Sequence, residues 1–72
     1  MKRTYKLEDL CCANCAAKME TAINKLDSVD EAVINFMSQR LTLVADETCF
    51  DEVLDSAEKI IRKIEPDCRI IR

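Results

Sequence analysis

The chain has 72 residues, a formal net charge of −3 and five cysteines, with no His, no Gly and a single Pro. That length supports one hydrophobic core, and the balance of apolar and charged residues belongs to a folded domain rather than a disordered tail. Scattered basic residues exclude a phosphate-binding stripe, so nucleic acid is not an expected partner. No apolar run approaches the roughly 20 residues of a bilayer crossing, so no direct membrane insertion is expected.

The first element is a strand over residues 3–7, with Tyr5 and Leu7 on one face. A loop carrying Cys11, Cys12 and Cys15 follows. From Asn14, a plausible N-cap, Ala16, Met19, Ala22, Ile23 and Leu26 recur at helical spacing, opposed by Lys18, Glu20, Thr21, Asn24 and Lys25. Asp27-Ser28 ends this helix. Residues 29–36 then form a second strand, Met37-Ser38-Gln39 a turn, and residues 40–45 a third strand with Leu41, Leu43 and Ala45 on one face. Thr48 and Asp51 resemble a capping box opening a second helix. That helix carries an apolar stripe of Phe50, Val53, Leu54, Ala57, Ile60, Ile61 and Ile64, with acids early and bases late as the helix dipole prefers. Pro66 stops it, and residues 67–71 supply a last short strand.

Two helices with one apolar face each and four short strands predict an α+β, ferredoxin-like βαββαβ sandwich. Its four-stranded antiparallel sheet has both helices on one face, and a single domain spans residues 1–72. Without glycine, any turn needing positive φ must use Asn, Asp, Ser or a longer loop.

The chemistry is concentrated in Cys11-Cys12-Ala13-Asn14-Cys15. Cysteines 12 and 15 stand in C-x-x-C spacing where a loop enters a helix, so their sulfurs can converge, and the helix dipole favours the thiolate. Thiolates are soft ligands. They select Cu(I), Zn(II) and the heavier soft ions over Mg(II) or Ca(II). A third thiolate from Cys11 suits an ion that prefers four ligands, such as Zn(II). Against this, adjacent residues in extended backbone project to opposite sides, so Cys11 joins only if the loop bends there. Two other readings compete: cysteines packed as small hydrophobes, and a dithiol oxidoreductase. Three cysteines within five residues exceed what packing requires. The redox reading lacks a flanking aromatic or proline to shape a substrate groove.

Over essentially its whole length the chain resembles the heavy-metal-associated domain of copper metallochaperones and soft-metal-exporting P-type ATPases. The resemblance rests on Leu10-Cys11-Cys12-Ala13-Asn14-Cys15, Leu26-Asp27-Ser28-Val29 and Ala32-Val33-Ile34-Asn35. It implies that Cys12 and Cys15 are the two metal-binding cysteines. Asp9 and Leu10 stand where the family has Gly-Met, and Ser28 where it has Gly. A Cys at position 11 resembles the zinc, cadmium and lead branch, making Zn(II), Cd(II) or Pb(II) the expected ion and Cu(I) the alternative.

In that fold the first loop, the turn at Met37-Ser38 and the Glu65-Pro66 loop share one end of the sheet, so Glu65 or Asp67 could add an oxygen ligand. Cys68 alternates with Ile70 and is expected in the core, Cys49 lies at the far end, and Met37 belongs to the turn or core rather than to the site. The expected role is a cytoplasmic regulatory or metal-acquiring domain of a metal-efflux P-type ATPase, not itself an enzyme. Its partners would be the transmembrane and other cytosolic domains of a transporter, or a partner metal-binding domain. A free-standing copper or zinc metallochaperone is the alternative, and a monomer is expected.

Overall fold

A computed structural model describes residues 1–10 and 12–71. Strand β1 (Lys2–Glu8) leads into helix α1 (Ala13–Asn24), then β2 (Val29–Asn35), β3 (Arg40–Ala45), a short 3₁₀ turn (Glu47–Cys49), helix α2 (Phe50–Ile64) and β4 (Arg69–Ile71). The strands form one antiparallel sheet in the order β2-β3-β1-β4. This is the ferredoxin-like arrangement, with β1 and β3 central.

Alternation decides which residues face the helices. Leu7 pairs with Ile70, and Ala32 pairs with Leu43, which places these side chains on one side of the sheet. All four are buried there with Leu41, Ala45 and Cys68. A bulge between Val29 and Glu31 inserts one extra residue into β2. Val29 and Ala32 are three apart, which an unbroken strand would send to opposite faces; the bulge lets both point inward. The core is closed from α1 by Ala16, Met19 and Ile23, and from α2 by Phe50, Val53, Leu54, Ala57 and Ile61. Ile60 and Ile64, the rest of the expected stripe, pack against its rim.

Helix α1 does more than bury one face. Asn24 accepts from the Ala32 N–H at 2.9 Å through its side-chain oxygen, and donates to the Ala32 carbonyl at 2.8 Å. Glu20 accepts from the Ile34 N–H at 2.8 Å. Both residues read as solvent-facing in sequence, yet they satisfy outward backbone groups of β2, an edge strand. Such groups otherwise form a template for another chain.

Several expected boundaries shift. Cys12 rather than Asn14 is the N-cap of α1: its sulfur accepts from the Cys15 N–H at 3.4 Å, and Asn14 lies inside the helix. Helix α1 ends at Asn24, because the Lys25 and Leu26 amides turn back to Ala22 and Ile23 and tighten the last turn. Thr48 is a donor rather than a cap. Asp46 accepts from its N–H at 3.0 Å and its hydroxyl at 2.9 Å, starting the 3₁₀ turn that precedes α2. Strand β4 begins at Arg69, since the Cys68 amide closes a turn onto the Glu65 carbonyl at 3.0 Å.

Candidate metal site

The cysteine loop sits at one end of the sheet, between β1 and α1. It starts with Asp9 at φ 61°, in the left-handed region that glycine enters without steric cost. Asp is one of the few other residues that tolerates this conformation. Leu10 then anchors the loop, its side chain 1% exposed in the core.

Cys12 and Cys15 are half-buried and close to one another. Their relation is asymmetric. Hydrogen bonds from the Cys15 backbone and side chain, the backbone foremost, lower the Cys12 pKa; partial burial and the Glu65 charge oppose this. Cys15 is pushed up, first because its own thiol donates to the Cys12 sulfur, then by burial and the negative charges of Cys12 and Glu65. Lys18 offsets part of that rise. The pair therefore ionises first at Cys12, at the helix cap, whose sulfur accepts a hydrogen bond from the Cys15 thiol.

Glu65 lies just past α2, where its N–H still bonds to the Ile61 carbonyl at 2.8 Å. Its charge acts on both cysteines. Oxygen Oε2 is inaccessible and has no hydrogen-bond partner among the described residues. A buried carboxylate oxygen without a donor is costly, and a cation is one means of compensating it.

The expected ligands are thus brought together unequally. Cys12, Cys15 and Glu65 share one end of the molecule, while Cys11 lies outside the described residues. Asp67 lines a surface depression with Asp9, Glu58, Arg62 and Arg69. Cys68 is fully buried in the core, as its alternation with Ile70 implies. Met37 is 91% exposed in the β2–β3 turn. Cys49 sits before α2, its sulfur donating to the Asp46 carbonyl at 3.7 Å. Among the described residues no three Cys, Asp or Glu side chains stand already assembled around one point.

One contact at this end was not legible in sequence. Gln39, in the β2–β3 turn, donates from Nε2 to the Leu10 carbonyl at 2.8 Å, although 29 residues separate the two. No local pattern marks such a reach.

The chain is 32% identical over 66 residues to the cadmium, zinc and cobalt-transporting ATPase of Bacillus subtilis, an alignment covering 92% of this chain and 9% of that protein. It is 37% identical over 62 residues to the enzyme of the same description from Helicobacter pylori, covering 86% of this chain and 8% of that one. The chain therefore spans under a tenth of the length of these curated relatives. In structure it superposes on the CsoZ metallochaperone with a TM-score of 0.77 and 17% identity, covering 100% of this chain and 97% of that one, a likeness of fold alone. Among the described residues no helix is long and apolar enough to cross a membrane. Residues 4–68, from within β1 through the cysteine loop and α2 to the turn before β4, match the model of the heavy-metal-associated domain, and the chain belongs to that family of metal-binding domains.

Proposed function

We propose that the domain binds a soft divalent ion, Zn(II), Cd(II) or Pb(II), through Cys12 and Cys15, with Cys11 and Glu65 completing the ligand set. In this reading it serves as the cytoplasmic metal-acquiring or regulatory domain of a metal-efflux P-type ATPase. The observation that carries it is a half-buried thiol pair within electrostatic reach of Glu65, whose Oε2 is inaccessible and without a hydrogen-bond partner among the described residues. Two thiolates and a carboxylate suit a divalent ion that prefers four ligands. The similarity to cadmium, zinc and cobalt-transporting ATPases supports the choice of ion and of parent protein. Cys11 enters on its sequence position. Half-buried sulfurs at the start of a helix leave room for an incoming thiolate to displace one ligand before the ion leaves, which acquisition and hand-over both require.

The second reading is a metallochaperone carrying Cu(I) on Cys12 and Cys15 alone. In its favour, these are the two described thiols in contact, and among the described residues no third group already converges with them.

Titration of the reduced protein separates the two readings. With Cd(II), sulfur-to-metal charge-transfer absorption should correspond to three thiolates and fall by about a third in Cys11→Ser. Cys12→Ser should keep its helix cap, since Ser is a preferred capping residue, and yet lose tight binding. Glu65→Gln should weaken Cd(II) and Zn(II) on the order of tenfold, about 1.4 kcal/mol, and leave Cu(I) unchanged. Tight Cu(I) binding by two sulfurs, with Cd(II) indifferent to both Cys11 and Glu65, would establish the copper reading instead.

A further inference from the structure

The turn between β2 and β3 meets the cysteine loop through Gln39. Its backbone lies at φ 53°, a region that glycine occupies freely and Gln does not. Its carbonyl oxygen accepts from the Leu7 N–H at 2.7 Å, at the inner end of the loop's root. Its side-chain amide donates to the Leu10 carbonyl at 2.8 Å. One residue in an unfavourable conformation therefore holds two points that bracket Asp9, itself at φ 61°. From Leu10 the chain has one intervening residue before Cys12, whose sulfur and carbonyl are tied to the Cys15 and Ala16 amides. The loop is pinned at both ends, and at the Leu10 end a polar pin comes from a distant turn.

A Gly would satisfy the backbone at position 39 better than Gln. The side chain is what glycine lacks, and among the described residues its amide has one bond, to the loop leading into the thiols. We infer that Gln39 is a positioning residue for the metal site: by fixing the Leu10 carbonyl it holds the loop so that Cys12 stands beside Cys15. This rests on the reading of Cys12 and Cys15 as ligands. Groups that orient metal ligands without touching the ion commonly affect affinity strongly.

The test compares Gln39→Gly, Gln39→Glu and Gln39→Lys with the parent protein. Gly relieves the backbone and removes the donor, Glu replaces the donor with an acceptor facing a carbonyl, and Lys keeps a donor. Gln39→Gly should melt at or above the parent temperature, yet bind Cd(II) on the order of 10–100-fold more weakly. In the metal-free protein its Cys15 amide, which bonds to the Cys12 sulfur, should exchange with solvent faster. Gln39→Glu should lose affinity similarly, and Gln39→Lys should recover most of it. A role confined to the turn predicts the same stability for Gly, but affinity and exchange at parent values. That result overturns the inference, and Gln39→Gly alone delivers it should the Glu variant not fold. If the parent protein takes up no Cd(II), the ligand reading fails by itself. Unchanged Cys15 exchange would refute the Gln39 hold whatever the metal result.

Discussion

At Cys12 one sulfur caps a helix and is also the proposed metal ligand. Accepting the Cys15 N–H lowers its pKa, while the Cys15 thiol, donating to that sulfur, is held above the usual thiol range. Their contributions to pH-dependent stability oppose each other. A depressed thiol favours the fold once pH exceeds its unfolded value and loses that benefit as pH falls through its folded value. A raised thiol disfavours the fold as it ionises. Reactivity therefore reports them better than melting. In the reduced, metal-free protein iodoacetamide should modify Cys12 first, with Cys15 following only as pH rises further, as peptide mass mapping across a pH series would reveal. Equal rates at every pH would contradict the asymmetry.

At the scale of elements, α1 is bonded to the β2 edge as well as packed on it. Removing Asn24 leaves both the N–H and carbonyl of Ala32 without their partner. Asn24→Ala should cost about 1–3 kcal/mol and expose strand-pairing groups, giving concentration-dependent association in sedimentation experiments. Stability at parent level with a monomer throughout would show that the helix face does not protect the edge. Helix α2 was legible in nearly every respect, because a long apolar stripe with acids first and bases last carries its own signature. The start of α1 was not. A cysteine sulfur acting as cap leaves no pattern of the kind Asn, Asp, Ser or Thr would leave, so Asn14 drew the assignment.

For the whole molecule, the core is small and aliphatic, and a domain of this size rarely has more than about 3–5 kcal/mol from its core. Leu43, fully buried on a central strand, should cost about 2–5 kcal/mol when truncated to Ala, leaving the metal-free variant largely unfolded at room temperature by circular dichroism. Ion binding is linked to the same equilibrium. Free Cd(II) at about 100 times its dissociation constant should add about 2.7 kcal/mol, a rise of roughly 10–20 °C in melting temperature. The rise should vanish when Cys12 and Cys15 are both replaced by Ser. Its persistence in that double variant would place the ion elsewhere.

The amino-acid order alone determined the number and sequence of the strands and α-helices, the inward faces of most strands, the burial of Cys68 and the concentration of thiols at one loop. These follow from periodicity and local chemistry, which are properties of neighbouring residues. Only the tertiary structure decided that Glu65 comes within electrostatic reach of Cys12 and Cys15, that Glu20 and Asn24 close the β2 edge, and that Gln39 pins Leu10. Each joins residues between 8 and 53 positions apart. Side-chain reach across such separations depends on how sheet and helices pack, and no local pattern encodes it.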